Sequence, residues 1–259
     1  MPALLLAALA AAATVGGSSS SAGIRLEPHG PDGIVVTVTP QGAATPPLHY
    51  PSALQPAPPP DEARLLRTPT SLTHGNLRVR LMNGDVDGGG VLVFERVSDG
   101  AELLREVAPR SFSPVPGTGS SGYYYSADLT LAAYDNERIY GLGQHQTGAL
   151  DNKGQSFPLA PVNTEVLIPV VHSSRGYSML WDLPSFGTVA LGNATSHWHA
   201  DAAPFLRFWV CTTGANSSPT ASWSERMTKF TAAVGRAPLF PSWTSGCECM
   251  SSMSQCLSA

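Results

Sequence analysis

Charged residues are scarce in this 259-residue chain, at 13% of the sequence, and the formal net charge is only -4. No cluster of lysine or arginine stands out, so the chain lacks the basic surface by which proteins bind nucleic acid or an anionic membrane. Long apolar runs are also missing, because the run from Ala3 to Val15 is shorter than the roughly 20 residues that cross a bilayer. These absences argue against a nucleic-acid partner and against a membrane span.

The short apolar run has the length and the composition of the hydrophobic region of a secretory signal peptide. Residues 11–13 are alanines and offer a small-residue cleavage site, although no lysine or arginine precedes the run. We therefore predict a signal peptide over residues 1–22 and a secretory or extracellular location; the alternative is an alanine-rich disordered start. Two Asn-x-Ser/Thr sequons, at Asn193 and Asn216, are glycosylation candidates that would matter only in that compartment.

Cysteine is sparse as well, with one residue at position 211 and three in the last thirteen positions. The terminal three, Cys247, Cys249 and Cys256, have no histidine partner at the spacing of a zinc finger. A Gly-x-Gly run begins at Gly141, but the next glycine, Gly148, comes too late for a dinucleotide-binding loop and no helix follows. We predict no cofactor and no metal.

Signatures of hydrolytic chemistry are incomplete. No G-x-S-x-G nucleophile motif occurs. His197, His199 and Asp201 would project from one face of a strand, as metal ligands must, but the run resembles only the start of the metallo-β-lactamase pattern because Ala202 stands where that pattern has another histidine. A zinc hydrolase is therefore a weak hypothesis. Four carboxylates are available for glycoside chemistry, and the sequence alone pairs none of them: Asp151, Glu165, Asp182 and Asp201.

What the chain does contain is turn residues and alternating apolar residues. Glycine (25 residues) and proline (23 residues) are frequent, and between them short segments place every second residue on one face. The alternation predicts three sets of residues that each share one face of a strand: Ile34, Val36 and Val38; Leu77, Val79 and Leu81; Leu206, Phe208 and Val210. Of these, Leu77, Val79 and Leu81 are predicted to face inward, because Arg78 and Arg80 occupy the other face. We predict a mainly β protein built as an antiparallel β-sandwich.

One amphipathic helix is predicted near the C-terminus. Four large apolar residues recur there at helical spacing and would form the buried stripe: Trp223, Met227, Phe230 and Val234. Ser222 and Glu225 fit a capping box, and Gly235 provides the stop. Upstream, the proline-rich segment Pro46 to Pro60 is predicted to be an extended, solvated loop, and Pro169 marks an edge strand or a strand bend.

Four ordered blocks between Glu137 and Gly246 resemble glycoside hydrolase family 31, the α-glucosidase and α-xylosidase family. ERIYGLGQHQTG resembles the family's E-x-x-Y-G-L-G strand, and LDNKG followed by NTEVLIPVVHSSRGYSMLWD resembles its N-x-x-x-x-I-P-F-x-x-S-x-x-G-Y-G-x-L-W stretch. VGRAPLFPSW resembles L-T-G-x-x-x-x-P-x-W, which leads into the family's catalytic barrel. The resemblance implies a sandwich of the galactose-mutarotase-like type.

The resemblance also implies what the chain does not hold. In the family, both catalytic residues are aspartates on a barrel that follows the sandwich, and such a barrel takes about 250 residues. Only eighteen residues follow Pro241, and their sequence departs from the family pattern. We predict a sandwich domain over residues 23–237 and a remnant of the barrel entry with a divergent Cys/Ser-rich tail over 238–259. No catalytic residue can be assigned, and the missing barrel would be the natural packing partner.

A loop of the family's sandwich reaches the rim of the sugar pocket, and the segment from Asp151 to Glu165 is its predicted counterpart. Asn163 and then Asp151 are the predicted rim contacts. Gln144, His145 and Asp151 are polar groups that would face the barrel; the alternative is that these three are solvated loop or turn residues. The predicted partner is an α-linked oligosaccharide or glycoside. The alternative function is a stand-alone carbohydrate-binding module without hydrolase activity, with Tyr123, Tyr124 and Tyr125 as a candidate aromatic platform.

Overall fold

The computed structural model describes residues 23–41, 43, 50–56, 59, 61–83, 90–116, 124–214 and 223–239, and also the backbone of Thr14 and Val15. The regular structure of these residues is mostly β-strand. It also includes one 3-10 helix (Glu62–Arg64) and one α-helix, α1 (Trp223–Val234). The strands are β1 (Thr14–Val15), β2 (Gly23–Pro28), β3 (Gly33–Thr39), β4 (Leu65–Thr68), β5 (Ser71–His74), β6 (Leu77–Met82), β7 (Val91–Arg96), β8 (Glu102–Arg105), β9 (Ser111–Pro114), β10 (Tyr125–Ala132), β11 (Ile139–Gln144), β12 (Ser156–Pro158), β13 (Val166–Ser173), β14 (Tyr177–Trp181), β15 (Gly187–Leu191), β16 (Thr195–Ala203) and β17 (Leu206–Thr212).

Antiparallel pairing joins these strands into three sheets. The first sheet has the order β1-β2-β3-β17-β14-β13-β11, the second β4-β5-β6-β7-β8 and the third β12-β15-β16-β10-β9. All three contribute to one apolar core, in which the first sheet packs against the other two. The predicted mainly β sandwich with one α-helix near the C-terminus is confirmed.

The predicted period-two alternation places the core residues. Val36 of β3 pairs with Phe208 of β17 at the centre of the first sheet, and both side chains are fully buried. The other members of the three predicted same-face sets are buried in the same core: Ile34, Val38, Leu77, Val79, Leu81, Leu206 and Val210. Since burying a side chain of this size contributes about 1.5–3 kcal/mol, this alternation is the main determinant of the fold.

The first sheet is covered on its opposite face by α1. Trp209 and Cys211 of β17 lie beneath the helix in a second, smaller apolar cluster with Val170 and Ala233. The indole N–H of Trp209 donates to the carbonyl oxygen of His29 at 3.1 Å, so the buried donor is satisfied.

The helical stripe predicted from the sequence is only partly correct. Trp223 and Met227 remain substantially exposed, whereas Arg226 and Ala233 are the buried residues of α1. The Arg226 guanidinium donates to the carbonyl oxygen of Ser173 at 2.6 Å, which permits a charged side chain to face the sheet. Gly235 ends the helix at a φ of 86°, as predicted.

The ladder between β11 and β13 contains a bulge, in which Leu142 of β11 stands opposite residues 168–170 of β13. The register with β13 shifts between Gly141 and Gly143, and Leu142 between them has a φ of 64° with its side chain fully buried. Pro169 is the middle one of these three residues of β13, and it is paired with neither neighbouring strand. Of the two predictions for Pro169, the strand bend is confirmed and the edge strand is not, because β13 is an interior strand.

The described part of the proline-rich segment is mostly exposed, as predicted, but hydrogen bonds also fasten it to the sandwich. Within its described part, the Ser52 hydroxyl and the Ala53 N–H donate to the two carboxylate oxygens of buried Asp182 at 2.7 and 2.8 Å. The Gln55 N–H donates to the carbonyl oxygen of Ala233 at 2.9 Å. These bonds fasten the segment to β14 and to the end of α1.

Candidate functional site

The sandwich has two ends that carry different residues. β11 runs between them: its first residue, Ile139, pairs with Ser173, and its last residue, Gln144, pairs with Val166. We call the end at Ile139 and Ser173 the turn end, and the end at Gln144 and Val166 the loop end.

Asp151 lies at the turn end. Its Oδ1 accepts hydrogen bonds from the N–H groups of Ile139, at 3.0 Å, and Lys153, at 3.1 Å. The next residue, Asn152, is buried and donates its own N–H to the carbonyl oxygen of Ile139 at 2.7 Å. The Asp151 carboxylate thus fastens this loop to the first residue of β11.

Asn163, by contrast, lies at the loop end, in an exposed turn with Thr164, whose φ is 71°. The structure does not bring the two predicted rim residues together: they stand at opposite ends of β11, whose six residues span about 17 Å. Gln144 and His145 lie beside Asn163 in this arrangement, at the loop end. At most one of these two residues can therefore lie at the rim of a single sugar pocket.

A histidine–glutamate pair holds the turn that carries Asn163. His145 Nδ1 is 2.9 Å from Glu165 Oε2, and His145 Nε2 is 2.8 Å from the carbonyl oxygen of Leu142. Because both partners are acceptors, the doubly protonated ring satisfies both bonds. The ring also packs on Phe157, with centroids 4.4 Å apart.

Gln146 completes this arrangement, which we call the loop clasp (His145, Gln146, Thr164 and Glu165). Its N–H donates to Glu165 Oε1 at 3.2 Å, and its side-chain amide donates to the Thr164 hydroxyl at 2.9 Å. The hydrogen bond from His145, followed by that from the Gln146 N–H, lowers the pKa of Glu165. The carboxylate therefore stays charged to lower pH than a free glutamate, and its bonds hold the turn that carries Asn163.

An uncovered apolar surface lies next to the loop clasp. On β13, Val166 and Ile168 continue the face that α1 covers at Val170, but the helix does not reach them, and they are 54% and 47% exposed. Val162 and Phe186, also at the loop end, are 44% and 63% exposed. Sequence reasoning did not single out these residues, although the alternation along β13 was the signal that could have done so.

A groove of about 400 Å³ adjoins this surface. Its walls include Pro51, Ile168, Pro169, Leu183, Phe230 and Val234. The wall at Pro51 is held by the buried Asp182, which binds Ser52 and Ala53 and lies 2.7 Å from Arg207 Nε. The loop end thus presents a formed apolar groove and a fixed polar clasp side by side.

The H-x-H-x-D run projects from one face of β16, as predicted. His199 Nδ1 is 2.7 Å and His197 Nε2 is 3.1 Å from the same oxygen of Asp128, and His199 Nε2 is 3.3 Å from Asp201 Oδ1. Partial burial acts to raise the pKa of Asp128, but hydrogen bonds from His199 and Ser111, together with the charge of the two imidazoles, lower it overall. Within the described part of the chain, no group of three or more His, Cys, Asp or Glu side chains is arranged to hold a metal ion.

Each carboxylate weighed for glycoside chemistry has a partner of another kind. Asp151 accepts backbone N–H groups, Glu165 pairs with His145, and Asp182 pairs with Arg207. Asp201 lies beside His199. Retaining glycosidases need two carboxyl groups about 5–5.5 Å apart across an open sugar site. None of these four groups is joined to another by the contacts of the described residues.

Several predictions fall on residues outside the described ranges. They concern Asn216, Tyr123, Ser222, the Cys/Ser-rich tail and most of the predicted signal peptide. Tyr124 is 40% exposed, and the Tyr125 ring packs edge-on against Phe112. Neither helix of the described residues has the length and apolarity of a membrane span.

Comparison with known proteins identifies related sequences. No family model matches the chain. The chain is 28% identical over 157 residues to an uncharacterised family 31 glucosidase of Pseudescherichia vulneris, with 61% of this chain and 27% of the relative covered. It is 28% identical over 195 residues to α-xylosidase A of Aspergillus niger, with 72% of this chain and 25% of the relative covered. The chain therefore spans about a quarter of the length of these relatives.

The same relationship appears in the fold. The structure matches a family 31 α-xylosidase from a soil metagenome, solved in complex with xylose, with a TM-score of 0.70 and 27% identity over 87% of this chain and 34% of that chain. The sequence blocks, the curated relatives and the solved structure agree. Together they confirm that this chain is related to the enzymes of glycoside hydrolase family 31.

Proposed function

We propose that this chain is the non-catalytic N-terminal portion of an α-glycosidase that hydrolyses α-glucosides or α-xylosides with retention. The observation that carries the proposal is the match to family 31 enzymes over most of this chain but only about a quarter to a third of theirs. The sandwich would be the domain over residues 23–237, and a catalytic barrel would supply both reacting aspartates.

The chemistry of the described residues supports this division of roles. The carboxylates at hand serve as loop anchors or ion-pair partners, and burying Asp182 in such a pair leaves it inaccessible to a sugar. A retaining mechanism needs one carboxylate free to attack the anomeric carbon and a second carboxyl group to protonate the leaving group. The proposal assigns both roles to the barrel and none to this sandwich.

The loop end supports the proposed packing partner. Val166 and Ile168 leave part of the first sheet uncovered, and the adjoining groove is apolar. Contiguous exposed apolar surface of this kind marks a place where another folded unit packs. With the barrel seated there, Asn163 and the loop clasp would stand at the rim of its sugar pocket.

The test is an activity assay of the purified full chain on an aryl α-glucoside and an aryl α-xyloside. We expect no turnover above the rate of a buffer control. Hydrolysis that disappears when Asp151, Glu165, Asp182 or Asp201 is replaced by its amide would contradict the proposal. Sequencing the transcript beyond the Gly246 codon in all frames is expected to reveal barrel-coding sequence.

A stand-alone carbohydrate-binding module is the second candidate, and the exposure of Tyr124 favours it. Burial and then the proximity of Tyr124 raise the pKa of Tyr50, so the two phenols are neighbours, and Tyr50 packs edge-on against Phe205 with centroids 4.7 Å apart. Titration of the chain with xylo- and gluco-oligosaccharides separates the candidates. Saturable binding that Tyr124→Ala abolishes supports the module, whereas the first proposal expects no such binding.

A further inference from the structure

The turn between β15 and β16 carries the sequon Asn193-Ala194-Thr195. We propose that Asn193 is an N-glycosylation site, which accepts an N-linked glycan when the chain enters the secretory pathway. The inference concerns a modification of the sandwich and does not depend on the proposed glycosidase function.

Exposure is the first observation. Asn193, Ala194 and Thr195 are all exposed to solvent, whereas the adjoining Leu191 is buried. Among the hydrogen bonds of the described residues, none involves the side-chain amide of Asn193. A glycan attached there would displace no protein contact and would leave the core at Leu191 untouched.

The turn is also firmly held by its backbone, so the side chain of Asn193 keeps its outward position. The Ala133 N–H donates to the carbonyl oxygen of Ala194 at 3.0 Å, and the Leu191 N–H donates to that of Gln155 at 2.8 Å. Thr195 pairs with Ala132 in the ladder between β10 and β16. Only the residues of the turn itself therefore face solvent at this point.

The position of the turn separates the glycan from the loop end. The Asn152 N–H donates to the carbonyl oxygen of Ile139, and the Gly154 N–H donates to that of Leu191. Because Ile139 marks the turn end of the sandwich, the turn that carries Asn193 lies at that end as well. The five residues of β15 put about 16 Å between this turn and Gly187 at the loop end. A glycan on Asn193 therefore leaves the apolar groove free for a packing partner.

The experiment uses the full chain expressed in insect cells behind an established secretion signal, so that the outcome does not depend on the chain's own predicted signal peptide. The secreted protein is digested with an endoglycosidase that removes N-glycans and is then compared by electrophoresis and peptide mass spectrometry. We expect a mobility shift on digestion and deamidation at Asn193.

Matched variants distinguish the sequon from a folding defect. Asn193→Gln and Thr195→Ala should lose the shift that belongs to Asn193, whereas Thr195→Ser should keep it because serine also completes a sequon. Asn216→Gln removes the second sequon and should leave the Asn193 modification in place. The proposal is overturned if the secreted chain carries no glycan at position 193. It is also overturned if the mobility shift survives in the double variant Asn193→Gln with Asn216→Gln.

Discussion

Glu106 shows how strongly the interior of this sandwich acts on a single residue. Its side chain is buried beside the equally buried Arg110, with 3.1 Å between Glu106 Oε2 and the Arg110 guanidinium, and the Leu92 N–H donates to the same oxygen at 2.7 Å. Burial nevertheless raises the pKa of Glu106 from its usual 4.5 to about 7, because loss of hydration outweighs both favourable partners.

This shift makes stability depend on pH. The folded-state pKa is raised, so the stabilisation from the protonated form is complete below pH 4.5 and is lost as the pH rises through about 7. The contribution of Glu106 to the free energy of unfolding should fall by at most about 3 kcal/mol between pH 4.5 and 8. His172 acts in the opposite direction over the lower part of this window, because burial lowers its pKa to about 4. The Glu106 contribution is therefore taken as the difference between the wild type and a Glu106 variant. Urea denaturation at a series of pH values measures it.

Glu106→Gln should flatten this slope, since the amide does not titrate, although it also leaves Arg110 without its charged partner. Glu62→Gln, which changes an exposed carboxylate of the 3-10 helix, is the matched control and should keep the wild-type slope. If the difference in the free energy of unfolding between the wild type and Glu106→Gln does not change with pH over this window, Glu106 remains ionised in the fold.

Single-residue roles are also where the sequence was least informative. Asp151 and Asn163 come from one short polar segment, and nothing in their composition indicates that β11 lies between them. The Asp151 carboxylate is taken up by the N–H groups of Ile139 and Lys153, bonds that exist only once the strand and the loop have met. The loop clasp was missed for the same reason, since His145 and Glu165 are twenty positions apart.

At the scale of elements, β11 depends on glycine more than on any apolar residue. A Cβ added at Gly143 would lie 1.9 Å from the carbonyl oxygen of Val166, and one at Gly141 would lie 2.2 Å from that of Val170. Both glycines also have positive φ, at 94° and 114°. We expect Gly143→Ala to lower the free energy of unfolding by at least about 2 kcal/mol, because steric overlap with the backbone adds to the conformational strain.

Gly148 provides the matched control for this substitution. Its φ is 68°, also in the left-handed region, but no atom lies within 4 Å of an added Cβ. Gly148→Ala should therefore cost only about 1 kcal/mol, the strain of the backbone alone. Chemical denaturation of the two variants decides the point: equal losses would mean that the close contact at β11 is not what requires glycine.

Elements were largely predictable because apolar alternation is a local property of the sequence. β3, β6 and β17 were expected with the correct alternation, β6 also with the correct buried face, and the helix was expected in the correct place. Its buried face was not, because Trp223 packs edge-on against Tyr140 and His172 at the margin of the sheet instead of beneath the helix. The hydrogen bond that lets Arg226 lie inside could not be foreseen from hydrophobicity.

At the scale of the whole molecule, the two ends of the sandwich differ in what they expose. The loop end carries Val166 and Ile168 on an uncovered part of the first sheet. We expect the isolated chain to self-associate through this surface, and Val166→Thr with Ile168→Thr to reduce that association. Size-exclusion chromatography with light scattering measures it, and the melting temperature should hardly change because substitutions at exposed positions usually alter stability by less than about 0.5 kcal/mol.

Val97→Thr is the control for this pair, since Val97 is 39% exposed and follows β7 in the second sheet, away from the loop end. It should leave the association unchanged. If the double variant associates as the wild type does, the surface that joins the copies lies elsewhere and the loop end loses its support as a packing face.

The overall architecture could be predicted because four ordered motifs identify a known family, whereas the surface that its partner would cover could not. Whether Val166 or Ile168 is covered depends on how far α1 extends over the first sheet, which is set by Gly235 at the end of the helix. Local alternation marks these positions only as apolar and assigns no neighbour to them.

The end of α1 also fixes the point at which the polypeptide leaves the helix. Gln55 bonds the carbonyl oxygens of Ala233 and Val234, so the chain leaves the helix at the margin of the groove. In a longer relative, a following domain would be tethered within reach of that groove, at an effective concentration in the millimolar range for a short linker. Docking would then be intramolecular, and even a weak apolar contact would suffice to keep the two units joined.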